Sequence, residues 1–223
     1  MKKFPLFFIV IIAYTNLSAQ SSDVLMNKLK EKLAKVRDYS AVAQLKTDVA
    51  FLKLPISKVN IFYKYPDQFQ IKKEGGVSIL PKGGMSVNLN SLILEGNYIV
   101  IPGGNINWKG ASLVVLKLVP NAESSDLIIL SLYVNEKELL IKKALATTKQ
   151  NGTYELELEY GKYSDWGLPD RVKMIFNTKE FSLPKAVTLE YESGFGKKKE
   201  LKKALGNKGR IEVIYSSYTI NKG

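Results

Sequence analysis

The residues of this chain best placed for acid–base chemistry are Glu155, Glu157 and Glu159, three carboxylates on alternate positions of one segment. A period of two puts them on one face of a strand, with Tyr154, Leu156, Leu158 and Tyr160 on the other. A carboxylate-dependent hydrolase needs two such groups in a cleft, about 5 to 9 Å apart for glycoside cleavage. Carboxylates lined up opposite an apolar face read instead as the solvated side of a sheet. The 223 residues include no histidine and no cysteine. That removes Ser-His-Asp and Cys-His nucleophiles, thiolate chemistry, disulfides and ordinary zinc sites. The glycine pairs at 75–76, 83–84 and 103–104 lack the Gly-Lys-Ser/Thr ending and following helix of a phosphate loop, so they read as turns. No cofactor signature stands out, and the chain reads as a non-enzyme.

Charge narrows the partners. The formal net charge is +12, falling to +10 once Lys2 and Lys3 leave with a signal peptide, which favours anionic partners. The arginines are only Arg37, Arg171 and Arg210. Base reading relies on arginine forks, so nucleic acid is not expected. Lys197, Lys198, Lys199, Lys202 and Lys203 form the densest positive run. They suit contact with an anionic membrane surface at about 1 kcal/mol per charge; the plainer reading is a solvated loop or short helix. Trp108 and Trp166, each beside a glycine in an expected loop, suit either the rim of an apolar pocket or half-buried packing.

The elements that position these residues begin with an export signal. Lys2 and Lys3, the apolar run 4–14 and Leu17-Ser18-Ala19 form a signal peptide over 1–19, and one domain over 20–223 follows. The apolar run falls short of the roughly 20 residues a membrane span needs. Ser21, Ser22 and Asp23 are N-cap candidates, and Leu25, Leu29, Leu33 and Val36 recur at helical spacing, predicting an amphipathic helix over about 22–37. It is the one helix the sequence makes plain. From Tyr39 onward the period is two, first through Ala41, Ala43, Leu45, Thr47, Val49 and Phe51, then Val59 to Tyr65, Phe69 and Ile71. Gly96-Asn97 and Asn151-Gly152 read as two-residue hairpin turns between strands. Val172 to Phe176, Val187 to Tyr191 and Ile211 to Ile220 continue the pattern. The expected fold is α+β: a large curled antiparallel sheet, a half-barrel of about ten or eleven strands, covered by the N-terminal helix.

This order of elements resembles the LolA/LolB-like outer-membrane lipoprotein carriers. The residues that carry the resemblance are VNIFYKYPDQFQI over 59–71, with an aromatic-x-x-Pro-x-x-Phe pattern at Tyr63, Pro66 and Phe69. LVVLKLVP, DLIILSLYVNEKELLIKKA and YELELEYGKYSDWGLP follow. Where the family carries an arginine before the proline, this chain has Tyr65. The resemblance implies a monomeric periplasmic carrier or chaperone, holding lipid acyl chains or lipoproteins in an apolar cavity between helix and concave sheet. The residues expected to line it are Leu25, Leu29, Leu33 and Val36 on the helix, with Leu45, Val49, Ile61, Tyr63, Tyr65, Phe69, Ile71, Leu156 and Leu158 on the sheet. Burying the four helix residues yields about 6 to 12 kcal/mol gross, enough to close a lid without making it irreversible. A 16-carbon chain gains about 13 kcal/mol from burial, so a cavity that releases its cargo should be loosely packed or partly filled by the lid. Two rivals stand beside the carrier: a lipid-responsive regulator or envelope scaffold with a filled core, and a carboxylate hydrolase.

Cleavage after Ala19 is checked by intact mass. The secreted product is expected to begin at Gln20, and a product retaining Lys2 and Lys3 refutes the assignment.

Overall fold

The computed structural model describes residues 21–48, 55–73, 89–122, 125–150, 152–177 and 208–222. The signal peptide expected over 1–19, Val49, Phe51, the glycine pairs at 75–76 and 83–84, the strand expected at 187–191, and Lys197, Lys198, Lys199, Lys202 and Lys203 lie outside them.

Helix α1 covers residues 21–33 and then breaks into a turn at 34–35. The sequence predicts helix to 37. The break falls where the apolar stripe changes partners: Leu25, Met26, Leu29 and Leu33 share one buried cluster, whereas Val36 belongs to a second cluster built on β1 and its neighbours. No described helix is long and apolar enough to cross a membrane.

Ten strands follow: β1 (Asp38–Asp48), β2 (Ser57–Lys64), β3 (Gln68–Lys73), β4 (Tyr98–Trp108), β5 (Ala111–Pro120), β6 (Leu127–Asn135), β7 (Leu140–Thr148), β8 (Gly152–Glu159), β9 (Arg171–Asn177) and β10 (Lys208–Ile220). They form one antiparallel sheet in the order β3-β2-β1-β10-β9-β8-β7-β6-β5-β4. Phe69 on β3 and Leu140 on β7 line the same small cavity, although six strand-to-strand steps separate β3 from β7. Laid flat, six steps span about 29 Å. The sheet is therefore bent around its interior, and it stays open because no pairing joins β3 to β4 among the described residues.

Three local predictions need correction. Leu92 to Glu95 is not a strand but part of helix α2 (Leu89–Glu95), which buries Leu89 and Ile93. Seven residues are too few for a helical period to stand out beside an apolar strand. Gly152 is not a turn residue: it opens β8 opposite Thr148 in the left-handed conformation, φ 63°, and Asn151 lies outside the described residues. Trp108 ends β4 rather than sitting in a loop, and Lys109 (φ 51°) and Gly110 (φ 81°) form the turn into β5. Two consecutive positive φ values suit the primed hairpin turns that match strand twist.

The outer face is organised by charge. Aligned pairs run Lys143, Glu157, Lys173, Glu212 and Lys46 across β7, β8, β9, β10 and β1. Glu155, Glu157 and Glu159 all stand on this face, and each has a cationic partner: Lys143 at 2.7 Å from Glu155, Lys173 at 3.2 Å and Lys109 at 3.0 Å from Glu157, and Arg171 at 3.3 Å from Glu159. Lys109 reaches Glu157 from the tip of the β4–β5 hairpin, so that arm folds across the sheet. Individually such pairs contribute about 0–1 kcal/mol; as a row they also fix register, because a one-residue slip turns every charge to the apolar face.

Burial disfavours the charge on Glu157, but the two lysines that donate to it hold its carboxyl below the usual range. A lowered folded value means its contribution is complete above the ordinary carboxylate value of about 4.3 and is lost as pH falls through the folded value. Glu157→Gln is therefore expected to lower the unfolding midpoint at pH 7, with the difference closing in acid. A gap between wild type and variant that stays constant from pH 7 to pH 2 contradicts the ion-pair account.

Candidate ligand-binding site

The inner face carries two adjoining apolar clusters. The larger joins α1 and α2 to β5–β9, with Leu116, Leu130, Leu132, Leu156 and Leu158 among its buried residues. The smaller joins Val36 to Tyr39, Ile61, Tyr63, Ile71, Leu168 and Tyr218. Of the residues expected to line a cavity, Leu25, Leu29, Leu33, Leu156 and Leu158 fall in the first cluster. Val36, Ile61, Tyr63 and Ile71 fall in the second, with Leu45 and Phe69 packed against it. Tyr65 does not join them. It is 46% exposed, at the cis Tyr65-Pro66 bond, with its hydroxyl toward Glu95 of α2.

The clusters meet at a small cavity of about 40 Å³, lined by Leu29 and Leu33 of α1, Leu89 of α2, and Leu158, Tyr39 and Tyr218 of the sheet. That is room for a few waters at most, against the roughly 300 Å³ or more of a typical ligand pocket. Leu29 and Leu33 of α1 and Leu89 of α2 form part of the cavity wall.

Its floor is a set of stacked tyrosines. Tyr39 lies 5.4 Å from Tyr63 and 5.3 Å from Tyr218 between ring centroids, and Tyr218 lies 4.9 Å from Tyr163 and 4.8 Å from Tyr215. Alternation alone puts Tyr215 and Tyr218 on opposite faces. A bulge in β10 pairs Tyr215 with Ala43 but Ser217 with Val42 and Tyr218 with Ala41, so both rings face inward. The alanines are the matching sequence signal: small side chains on β1 leave space for large ones on β10.

The site carries neutral hydrogen-bonding groups and no charge. Tyr218 Oη donates to Pro169 O at 2.7 Å and Tyr160 Oη to Ile141 O at 3.0 Å. The Tyr63 hydroxyl is buried beside Ser91, which donates to Pro66 O at 3.0 Å. Burial pushes the Tyr39 and Tyr218 hydroxyls far up, aided by neighbouring tyrosines. Burial likewise lifts Tyr154 and Tyr215 to about 12. None can act as a base at neutral pH, and the arrangement suits an apolar guest.

Two sets of contacts hold α1 in place. Along its length, Lys32 Nζ donates to Glu138 O at 2.7 Å and Lys30 Nζ stands 4.8 Å over the Tyr98 ring. At its end, Asn221 clamps the turn: Nδ2 donates to Lys35 O at 2.8 Å, and Oδ1 accepts from Arg37 N at 2.8 Å. The Asn221 backbone N–H donates to Asp38 O at 2.9 Å. Sequence reasoning passed over Asn221, since a lone asparagine beyond the last strand carries no periodic signal.

No family model matches the chain, and no curated protein does. Solved structures do. A domain from Vibrio parahaemolyticus named for outer-membrane lipoprotein sorting superposes with a TM-score of 0.59 at 11% identity, covering 92% of this chain and 94% of its own. A DUF1329 family protein from Desulfovibrio piger gives 0.57 at 11% identity, with coverage of 92% and 94%. A LolA superfamily protein from Nitrosomonas europaea gives 0.53 at 12%, covering 88% and 94%. The chain has the fold of these domains, as its order of elements led one to expect.

The tyrosine floor makes alkaline stability a measurable quantity. Raised folded values mean the contribution is complete below the ordinary tyrosine value of about 10 and is lost as pH rises through the folded values, about 12 for Tyr154 and Tyr215. Stability should therefore hold to about pH 10 and fall steeply above it, with tyrosinate absorbance appearing together with unfolding. Smooth titration of all tyrosines near pH 10 in the folded protein contradicts this burial.

Proposed function

We propose that this chain is a periplasmic carrier or chaperone, not an enzyme, that takes a lipid acyl chain or lipoprotein into the trough now filled by α1 and α2. The observation that carries this reading is the identity of the filling. Leu29, Leu33 and Leu89 come from helices rather than from the sheet, and a helix laid on a sheet can leave without breaking a strand pair. Burial of Leu25, Met26, Leu29 and Leu33 stabilises closure by about 6 to 12 kcal/mol gross, comparable to the roughly 13 kcal/mol from a buried 16-carbon chain. Exchange of one apolar filling for the other is then close to balanced, which lets cargo leave again. The fold shared with lipoprotein-sorting and LolA superfamily domains supports the same class of ligand.

The cavity volume supports a second reading. With about 40 Å³ free, the same fold serves as a lipid-responsive regulator or scaffold whose core stays filled. The cargo-bearing state tells them apart: a carrier purified without detergent shows added lipid mass in native mass spectrometry, and a filled module does not.

Leu29 is fully buried and Lys28 is exposed on the same helix. Leu29→Ala is expected to cost about 2 to 5 kcal/mol of stability and to raise uptake of a fluorescent fatty acid, while Lys28→Glu leaves both unchanged. Should the two variants match in uptake and in thermal unfolding, α1 is not a lid.

A further inference from the structure

A second recess lies on the opposite face of the sheet. It measures about 450 Å³ and is lined mostly by outward residues of β1–β3, with Thr219 of β10 and Lys222 beyond it and with the inner tyrosines Tyr39 and Tyr63 at its edge, and it includes Phe62, Lys64, Gln68, Gln70 and Lys72. Its volume falls within the roughly 300–1,000 Å³ of ligand sites, ten times that of the interior cavity.

The charge ladder does not extend here. It ends at Lys46 on β1, and beyond it the outward residues of β2 and β3 are Lys58, Asn60, Phe62 and Lys64, then Gln68, Gln70 and Lys72, with no carboxylate. Lys64, Lys72 and Lys222 are exposed and form none of the ion pairs among the described residues. The one carboxylate in the lining, Asp38, stands directly opposite Lys64 across β1 and β2 and accepts through Oδ1 from Lys222 N at 3.0 Å, so the lining sets three lysines against one carboxylate. Asp67 stands in the β2–β3 turn and does not line the recess.

The neutral lining is equally particular. Gln68, Gln70, Ser40 and Thr219 present amides and hydroxyls that both donate and accept, the pairing a hydroxyl-rich ligand requires. Phe62 is 42% exposed and offers ring surface at the centre, with Lys72 Nζ 5.3 Å from its centroid. We infer that the recess binds an acidic saccharide, its carboxylate or phosphate held by Lys64, Lys72 and Lys222 and its hydroxyls by the amides and hydroxyls between them. Tyr39 borders both this recess and the interior cavity, but the three lysines stand at exposed positions outside the cavity and the saccharide reading does not depend on an acyl ligand.

The test titrates the whole mature protein with trigalacturonate and follows backbone amide shifts. Binding is expected with shifts at Phe62, Gln70 and Thr219, weakening as salt rises. The triple variant Lys64→Gln, Lys72→Gln, Lys222→Gln should weaken it at least tenfold, with Lys46→Gln in the ladder as an unaffected control. Because all three lysines are exposed, unfolding midpoints should match wild type. The proposal is overturned if trigalacturonate fails to bind at 10 mM, a concentration about tenfold above a weak millimolar site, or if neutral maltotriose binds equally well. It is also overturned if inorganic phosphate or hexaglutamate matches trigalacturonate on the same residues, which means an anion site without sugar recognition. Co-sedimentation with phosphatidylglycerol vesicles that the triple variant abolishes, without saccharide binding, makes the occupant a membrane instead.

Discussion

Everything in this structure depends on covering the inner face of a bent sheet that does not close. A closed barrel fills its interior with its own side chains; an open one leaves an apolar trough that water cannot satisfy. Here β3 and β4 are the two ends of the strand order and also neighbours in the chain. The link between them must therefore travel from one end of the sheet to the other, and α2 lies on that link. Its Leu89 and Ile93 enter the same cluster as Leu25, Leu29 and Leu33 of α1. Ser91 ties it to Pro66 beside β3, while the Tyr98 hydroxyl on β4 donates to Ile93 O at 2.6 Å. The two helices that pack together on the inner face thus come from different places in the chain, α1 ahead of β1 and α2 from the link between β3 and β4.

The two faces of the sheet solve opposite problems. Inside, hydroxyls are kept neutral by burial, and selectivity rests on shape. Outside, many charges are matched strand by strand, while the outward charges of β2 and β3 among the described residues are all lysines, with Asp38 of β1 opposite Lys64. A net charge read from composition alone carries no such geography, because Lys64 and Lys173 count the same until the register shows Lys173 between Glu157 and Glu212 and Lys64 opposite a single aspartate.

Most of the architecture was legible because it is written in periodicity. The stripe Leu25, Leu29, Leu33 and the alternation through Tyr39, Ala41 and Ala43 each bury the face they should. What was not legible is where that periodicity breaks. Helix α2 is too short to show its period, and Tyr218 faces inward only because β10 carries a bulge. Val36 keeps the helical spacing of the stripe but packs after the helix has ended, so spacing alone overran the boundary by four residues, from 33 to 37. The candidate site suffers in the same way. Its apolar members were readable one at a time, whereas the exclusion of Tyr65 and the clamp by Asn221 come from contacts distant in sequence.

That clamp bears on the order in which the protein matures. Arg37 and Asn221 are 184 positions apart, so the bond between them closes nearly the whole polypeptide into a ring. Contacts of such separation form late, after the intervening loop entropy has been offset by other pairings. Helix α1 precedes the whole sheet in the chain, yet the turn at its end waits on the last described strand to be fastened, so its apolar stripe is exposed for as long as the sheet is incomplete.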